Sequence, residues 1–288
     1  MAYRSPLEAR LARKTTKAIT DYGLIEDGDR VMVGLSGGKD SWALFQMLDV
    51  LRQRAPIAFS LVAVNVDSGY EDYQHELLAD TCRQRGWEFV SEHTKIGEVM
   101  DDILDPGQTP CSLCARLRRG VLYRLAERVG ATKIALGHHL DDFVETLLLN
   151  LFFAGSLKAM PAKLVSDDRR HVVIRPLVYV TEAEARAYTK ESALPVIGCC
   201  CPACGDLGLQ RQRVKRLVMD LEREHPNVKS SMIKALANVM PRHLLDTRLN
   251  PSRDLAADAA ARLDEIGDLP PGTAFVPLFL SRTDASPS

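Results

Sequence analysis

The stretch "VMVGLSGGKDSWALFQML", Val31 to Leu48, decides the fold. An apolar run that reads as a strand enters a turn with two adjacent glycines and a lysine. An amphipathic run leaves it, with Ala43, Leu44, Met47, Leu48 and Leu51 at helical spacing. A strand–turn–helix of this kind holds anions: glycines admit the backbone closely, and the helix start supplies unpaired amides and the positive end of its dipole. It is not a Walker A loop, because Gly34 stands one residue too close to Gly38 and Asp40 follows Lys39 where Ser or Thr is required. No G-x-G-x-x-G is present either. What remains is S-G-G-K-D-S, Ser36 to Ser41, in which Ser36, Gly37, Gly38, Lys39, Asp40 and Ser41 are candidate nucleotide contacts.

The rest of the chain repeats the pattern. Ala58–Asp67 is a near-continuous apolar run, as expected for a strand buried on both faces. "WEFVSEH" and "TKIALG" read as further strands. Helices are expected over 7–26 (ending near the "DYG" of Asp21–Gly23), 41–54, 72–85, 110–129 and 140–153. Strands alternating with helices predict an α/β fold, a doubly wound parallel sheet whose ligands sit at the carboxyl ends of the strands. After Pro176 comes a helix capped by Thr181 with Glu184 three residues on, a capping-box pattern. The knot "CCCPACG" and two helices to about Met240 follow, and then an irregular tail. The expected division is an N-terminal helical segment (1–28), a nucleotide-binding domain (29–198), a Cys-containing helical extension (199–250) and a tail (251–288).

The chain has 288 residues, 46% hydrophobic and 26% charged, with a formal net charge of −1. A uniformly basic nucleic-acid coat is excluded, but cations cluster locally: Arg10, Arg13, Lys14 and Lys17; Arg116, Arg118, Arg119, Arg124 and Arg128; Arg211, Arg213, Lys215 and Arg216. Charge runs are usually solvated helix faces, yet three patches permit a local phosphate footprint. The basic N-terminus lacks the apolar core of a signal peptide. "FVETLLLNLFFAG", Phe143 to Gly155, is too short to span a bilayer and reads as a buried helix. The expected compartment is the cytoplasm, where cysteine clusters mark metal or redox sites.

Cys82, in mid-helix, reads as an inert core residue. Cys111 and Cys114 in "TPCSLCARLRRG" share one face of a helix start, with Thr109 as cap and Pro110 as first residue. The helix N-terminus and nearby arginines favour the metal-ligating thiolate. Cys201 and Cys204 repeat the C-x-x-C spacing behind Cys199 and Cys200. By spacing alone a four-cysteine zinc site, a redox pair and an iron–sulfur cluster all stay open. In "GHHLDD", Gly137 to Asp142, a strand end opens a helix. Asp141 and Asp142 either satisfy the helix start or bind Mg2+ or orient a nucleotide; Gly137, His138 and Asp67 are further candidates because they fall at the carboxyl ends of strands, while His138 and His139 read equally as packed or solvent-facing histidines.

The hexapeptide S-G-G-K-D-S resembles the PP-loop of the ATP-pyrophosphatase superfamily, whose members cut ATP between its α- and β-phosphates and attach AMP to a substrate oxygen. Taken in order, "SGGKDS", "PCSLCARLRRG", "GHHLDD" and C-x-x-C-G resemble the tRNA 2-thiocytidine synthetase family over roughly residues 7–249. That resemblance implies a Rossmann-like PP-loop domain that binds ATP and Mg2+. It also implies a [4Fe–4S] cluster on three cysteines, by motif matching Cys111, Cys114 and Cys201, with one iron left to carry sulfur. Its reaction would adenylate the C2 oxygen of cytidine 32 in the tRNA anticodon loop and replace it with sulfur. Lys39, Asp40, Asp141 and Asp142 would act in catalysis, and Arg116, Arg118, Arg119, Arg211 and Arg213 would hold tRNA phosphates. The expected partners are tRNA and a sulfur donor such as a cysteine desulfurase, with a homodimer admitted and no membrane. Two rivals remain: a zinc-stapled PP-loop enzyme acting on another tRNA base, and a non-catalytic nucleotide-binding module. Cys199 and Cys200 are departures from the family pattern, and the tail lies outside it.

Overall fold

The structure, a computed structural model, describes residues 2–70, 73–103, 111–198 and 210–249. Met1–Ala237 forms one compact unit and Asn238–Ser288 a second. In the first, strands β1 (Arg30–Gly34), β2 (Ser60–Asp67), β3 (Phe89–His93), β4 (Lys133–Ala135), β5 (Lys163–Val165) and β6 (Val172–Ile174) form one sheet in the order β3-β2-β1-β4-β6-β5. All neighbours run parallel except β5 and β6. The expected parallel sheet therefore carries an antiparallel edge hairpin, absent from the sequence reading because three-residue strands are too short to display a period of two.

Both faces are covered, and the alternation of side chains shows how. Val31, Val33, Leu61, Ala63, Ala135 and Ile174 belong to one apolar core. Their strand neighbours Met32, Val62, Val64, Ile134 and Val173 belong to the other. On the first face pack α1 (Pro6–Tyr22), α2 (Lys39–Arg52), α3 (His75–Gln84), α6 (Leu140–Phe153), α7 (Glu182–Glu191), α8 (Gln210–Glu224) and α9 (Val228–Leu236). On the second pack α4 (Ile96–Ile103) and α5 (Cys111–Arg128). This is the doubly wound arrangement.

The helices start and stop for local reasons. Ser5 caps α1 by accepting from the Glu8 amide at 3.0 Å, and Pro6 follows it. α1 ends at Tyr22, within the Asp21–Gly23 stretch expected to close it, because Gly23 turns left-handed (φ 55°) and its amide folds back to Ile19 and Thr20. The capping box of α7 forms as expected, Glu184 N to Thr181 Oγ1 at 3.2 Å and Thr181 N to Glu184 Oε2 at 2.9 Å. α6 is buried over its first turns, but Leu151, Phe152 and Phe153 are about half exposed, so the apolar run emerges at its C-terminal end. α4 escaped the sequence reading; Ile96 and Met100 alone anchor its one short apolar stripe. Cys82 is fully buried, and burial pushes its thiol up to about 12. Among the described residues no helix is long and apolar enough to cross a membrane. In the second unit Pro241–His243 forms a 3₁₀ turn. Thr109, Pro110, Cys199–Cys204 and the tail after 250 lie outside the described residues.

Candidate active site

The turn between β1 and α2 is shaped to wrap an anion. Gly37 adopts φ 81°, which turns the chain back on itself, and a Cβ there would meet Ile197 at 3.1 Å. Gly38 is the N-cap of α2, and the amides of the first helical turn have no acceptors within the helix. The hydroxyls converge as well: Ser41 Oγ donates to Gly38 O (2.8 Å) and lies 3.3 Å from Ser36 Oγ. Neighbours pin the turn from outside. Ile197 N donates to Gly37 O at 3.0 Å and Thr189 Oγ1 to Lys39 O at 2.8 Å. Fully buried Asn65 donates to Leu35 O at 2.8 Å, and Tyr73 OH to Ser36 O at 3.2 Å.

The "GHHLDD" turn closes directly over this loop. A Cβ on Gly137 would lie 2.9 Å from the Asp40 carbonyl carbon and oxygen and 3.0 Å from Ser41 N, so only glycine permits the approach. The two motifs share one wall of a cavity of about 610 Å³ at the carboxyl ends of the strands, where such folds bind ligands. Ser36, Asp40, Ser41, Gly137, His138 and Asp142 line it, as do Arg118, Arg119 and Arg211. Cys114 is half-buried in the first turn of α5, next to cavity-lining Ala115, and Cys111 opens the same helix.

The two aspartates of the motif part ways. Asp142 caps the His139 amide at 3.0 Å and keeps its other oxygen toward the cavity, 3.7 Å from Arg211 Nη1. Asp141 turns away: it accepts from Glu182 N at 2.7 Å and pairs with Lys229 at 2.7 Å, and it does not line the cavity. Asp67 is likewise engaged, accepting from Gly69 N at 2.9 Å and lying 2.8 Å from His93 Nδ1. Arg116 and Arg213 face solvent. Arg10 and Lys14 pair with Glu184, and Arg124 and Arg128 with Glu92.

Charge is tightly managed. Burial alone would lower the Lys39 ammonium, but Asp40 (3.0 Å) and Glu182 (3.1 Å) outweigh it and hold it above the ordinary lysine value. Burial would raise Glu182, yet Lys215 (2.7 Å) and Lys39 bring it down to about 2. Burial lowers His138 to about 4, so it is neutral at physiological pH. The same effect raises Glu145. Among the described residues Asp40 Oδ1 is buried without a hydrogen-bond partner, with His139 Nε2 3.6 Å away. Glu182, Arg175 and Asn65 were not legible as site residues; the only signal near Glu182 was the capping box around it.

The PP-loop domain family matches residues 7–219. A tRNA-cytidine(32) 2-sulfurtransferase from Geobacter metallireducens is 51% identical over 233 residues, covering 81% of this chain and 91% of that protein. This chain belongs to that family. A namesake from Syntrophotalea carbinolica is 50% identical over 256 residues, covering 88% of the chain and 99% of the relative. Among solved structures, the U34-tRNA thiolase NcsA from Methanococcus maripaludis with its [4Fe–4S] cluster matches with a TM-score of 0.69 and 26% identity. It covers 84% of this chain and 82% of the thiolase. Family membership explains why a PP-loop and an arginine-lined cavity meet at the carboxyl ends of the strands, beside the helix that carries Cys111 and Cys114.

Proposed function

We propose that this protein is an ATP-dependent tRNA thiolase that converts cytidine 32 of the anticodon loop to 2-thiocytidine in the cytoplasm. The observation that carries the reading is the closure of Gly137 onto the Asp40–Ser41 backbone, which joins the phosphate loop and the GHHLDD turn at one cavity that α5, the helix carrying Cys111 and Cys114, also lines through Ala115, Arg118 and Arg119.

The residues suit each group the reaction needs. Gly37, Gly38, Ser36, Ser41 and the first amides of α2 would cradle the β- and γ-phosphates, with Lys39 neutralising charge as pyrophosphate leaves. Asp40 Oδ1, which lacks a hydrogen-bond partner among the described residues, and the cavity-lining Asp142 fit a Mg2+ ion, an oxygen-seeking cation. Two cysteines one helical turn apart, on the helix that sends Arg118 and Arg119 to the cavity, fit an iron–sulfur cluster; Cys111, Cys114 and Cys201 would hold it. When bound, the cluster supplies the sulfur that takes the place of oxygen at C2.

The cytidine must leave its stack to enter the cavity. Its C2 oxygen attacks the α-phosphorus, the α–β phosphoanhydride bond breaks, and pyrophosphate departs along the Ser36–Ser41 loop. C2 is left bearing AMP as a leaving group, and AMP departs as the thiocarbonyl forms. Arg118 and Arg119 would meet the RNA and nucleotide phosphates at the cavity, and exposed Arg116 and Arg213 would extend that footprint outside it. Asp141 positions the α7 start rather than substrate. A sulfur donor such as a cysteine desulfurase completes the cycle.

Iron, zinc and acid-labile sulfide measured in anaerobically purified protein test this reading, beside Cys201→Ala. Near-stoichiometric iron and sulfide, lost in the variant, are expected. Zinc without sulfide would contradict it.

A further inference from the structure

Arg175 follows β6 and lines the cavity on the side away from the phosphate loop, two strands over in the order β1-β4-β6. Strand spacing puts its backbone about 10 Å across the sheet from that loop. Its side chain is 92% buried by the complement of its 8% exposure, and among the described residues no carboxylate pairs with it. The Nη1 group donates to Pro161 O at 2.7 Å, while buried Nε has no hydrogen-bond partner among the described residues. The neighbouring charges do not compensate it. Arg119 and burial both oppose its charge, and four arginines line the cavity (118, 119, 175 and 211) against two carboxylates, Asp40 and Asp142. A buried guanidinium edge without an acceptor costs stability unless a ligand completes it.

The anchored Nη1 fixes the fork. The edge left over is Nε–H with the adjacent Nη2–H, two parallel donors about one base-edge spacing apart. An unstacked cytosine offers two adjacent acceptors there, N3 and O2. Uracil places an N3–H donor between its two acceptors and meets this edge with a donor–donor clash. ATP phosphates are an inferior match, because the α2 start, with its unpaired amides and cavity-lining Ser36 and Ser41, lies across the sheet from Arg175.

We infer that Arg175 is the residue by which this site selects cytosine over uracil, its free Nε/Nη2 edge pairing with N3 and O2 of the flipped base. The inference rests on the thiolase reading above and deepens it. Discrimination of this kind by one bidentate pair is about 10- to 100-fold, and base edges of unstacked nucleotides are where RNA sequence is read.

The test uses full-length protein carrying its cluster, with anticodon stem-loops bearing cytidine, uridine or 3-deazacytidine at position 32. Wild type should bind the cytidine stem-loop about tenfold or more tighter than the other two, since 3-deazacytidine lacks only the N3 acceptor. This measurement needs no variant and so does not depend on one folding. Arg175→Gln, which offers both a donor and an acceptor, should narrow the cytidine-to-uridine ratio, leaving ATP affinity and iron content unchanged. Equal binding of cytidine and 3-deazacytidine by wild type would overturn the assignment. So would a variant that weakens both stem-loops equally with a shallower salt dependence, the mark of a phosphate contact, or one that weakens ATP. If wild type thiolates none of the three, the thiolase reading fails rather than this one.

Discussion

Replacing Gly137 by alanine tests whether the two motif turns must touch. The added methyl carbon would sit 2.9 Å from the Asp40 carbonyl carbon and oxygen and 3.0 Å from the Ser41 amide nitrogen. All three are backbone atoms within the first turn of α2, so no side chain can swing aside. Restoring ordinary contact requires the turns to part by roughly half an ångström, and overpacking of this kind costs about 1–3 kcal/mol. At about 2 °C or more per kcal/mol for a chain of this size, the melting temperature should fall by several degrees. The functional effect should be larger. A misplacement of about 1 Å costs on the order of 100-fold in rate, so half of that displacement predicts roughly a tenfold loss of tRNA-dependent pyrophosphate release. Two assays are needed: thermal unfolding, and pyrophosphate release at saturating ATP with cytidine-32 tRNA. A Gly137→Ala protein with wild-type melting temperature and rate would refute the reasoning, because it would mean the turns do not bear on one another.

The other predictions concern charge. Asp142→Asn should abolish pyrophosphate release with little change in melting temperature. Asp141→Asn should lower the melting temperature by loosening Lys229 and the α7 start; the reverse pattern would sink the division of roles. Glu182 is held near 2 against an unfolded value of 4.5, so its contribution is present above pH 4.5 and lost as pH falls toward 2. That contribution is at most about 3 kcal/mol, and Glu182→Gln should flatten the urea midpoint over that window. His138 has the opposite chemistry with the same direction. Its folded value of about 4 lies below the unfolded 6.5, so the unfolded chain binds the proton first and stability falls as pH drops from 6.5 to 4. A His138→Gln protein whose midpoint follows wild type through that window would contradict it. Cys82 should resist alkylation in native protein at pH 8 and react only on unfolding, as mass spectrometry of the labelled peptide would show.

Much of this architecture was legible because it is written locally. The α2 helix, the doubly buried β2 strand and the capping box of α7 each carry their signal within a dozen residues, and each forms where expected. Other features depend on partners far along the chain. β5 and β6 are strands only because they hydrogen-bond to each other and β6 to β4. The α1 terminus, set by the left-handed turn at Gly23, falls in the Asp21–Gly23 stretch where the sequence placed the helix end. In the site, the motif residues could be named in advance, but not which of two adjacent aspartates faces the cavity. That follows from Lys229 and the Glu182 amide, 88 and 41 residues further on, drawing Asp141 away. Glu182 and Arg175 gave no motif signal at all; one is defined by the lysines it joins and the other by the acceptor it lacks.

The central claim is that one cavity joins ATP cleavage to sulfur insertion at cytidine, and nucleoside analysis of reacted tRNA tests it most directly. Anaerobically prepared protein with ATP, Mg2+, a sulfur donor and tRNA bearing cytidine 32 should yield 2-thiocytidine and one pyrophosphate for each thiolated nucleoside. Lys39→Ala should yield neither. Pyrophosphate released without any 2-thiocytidine, from protein containing its full complement of iron and sulfide, would contradict the account.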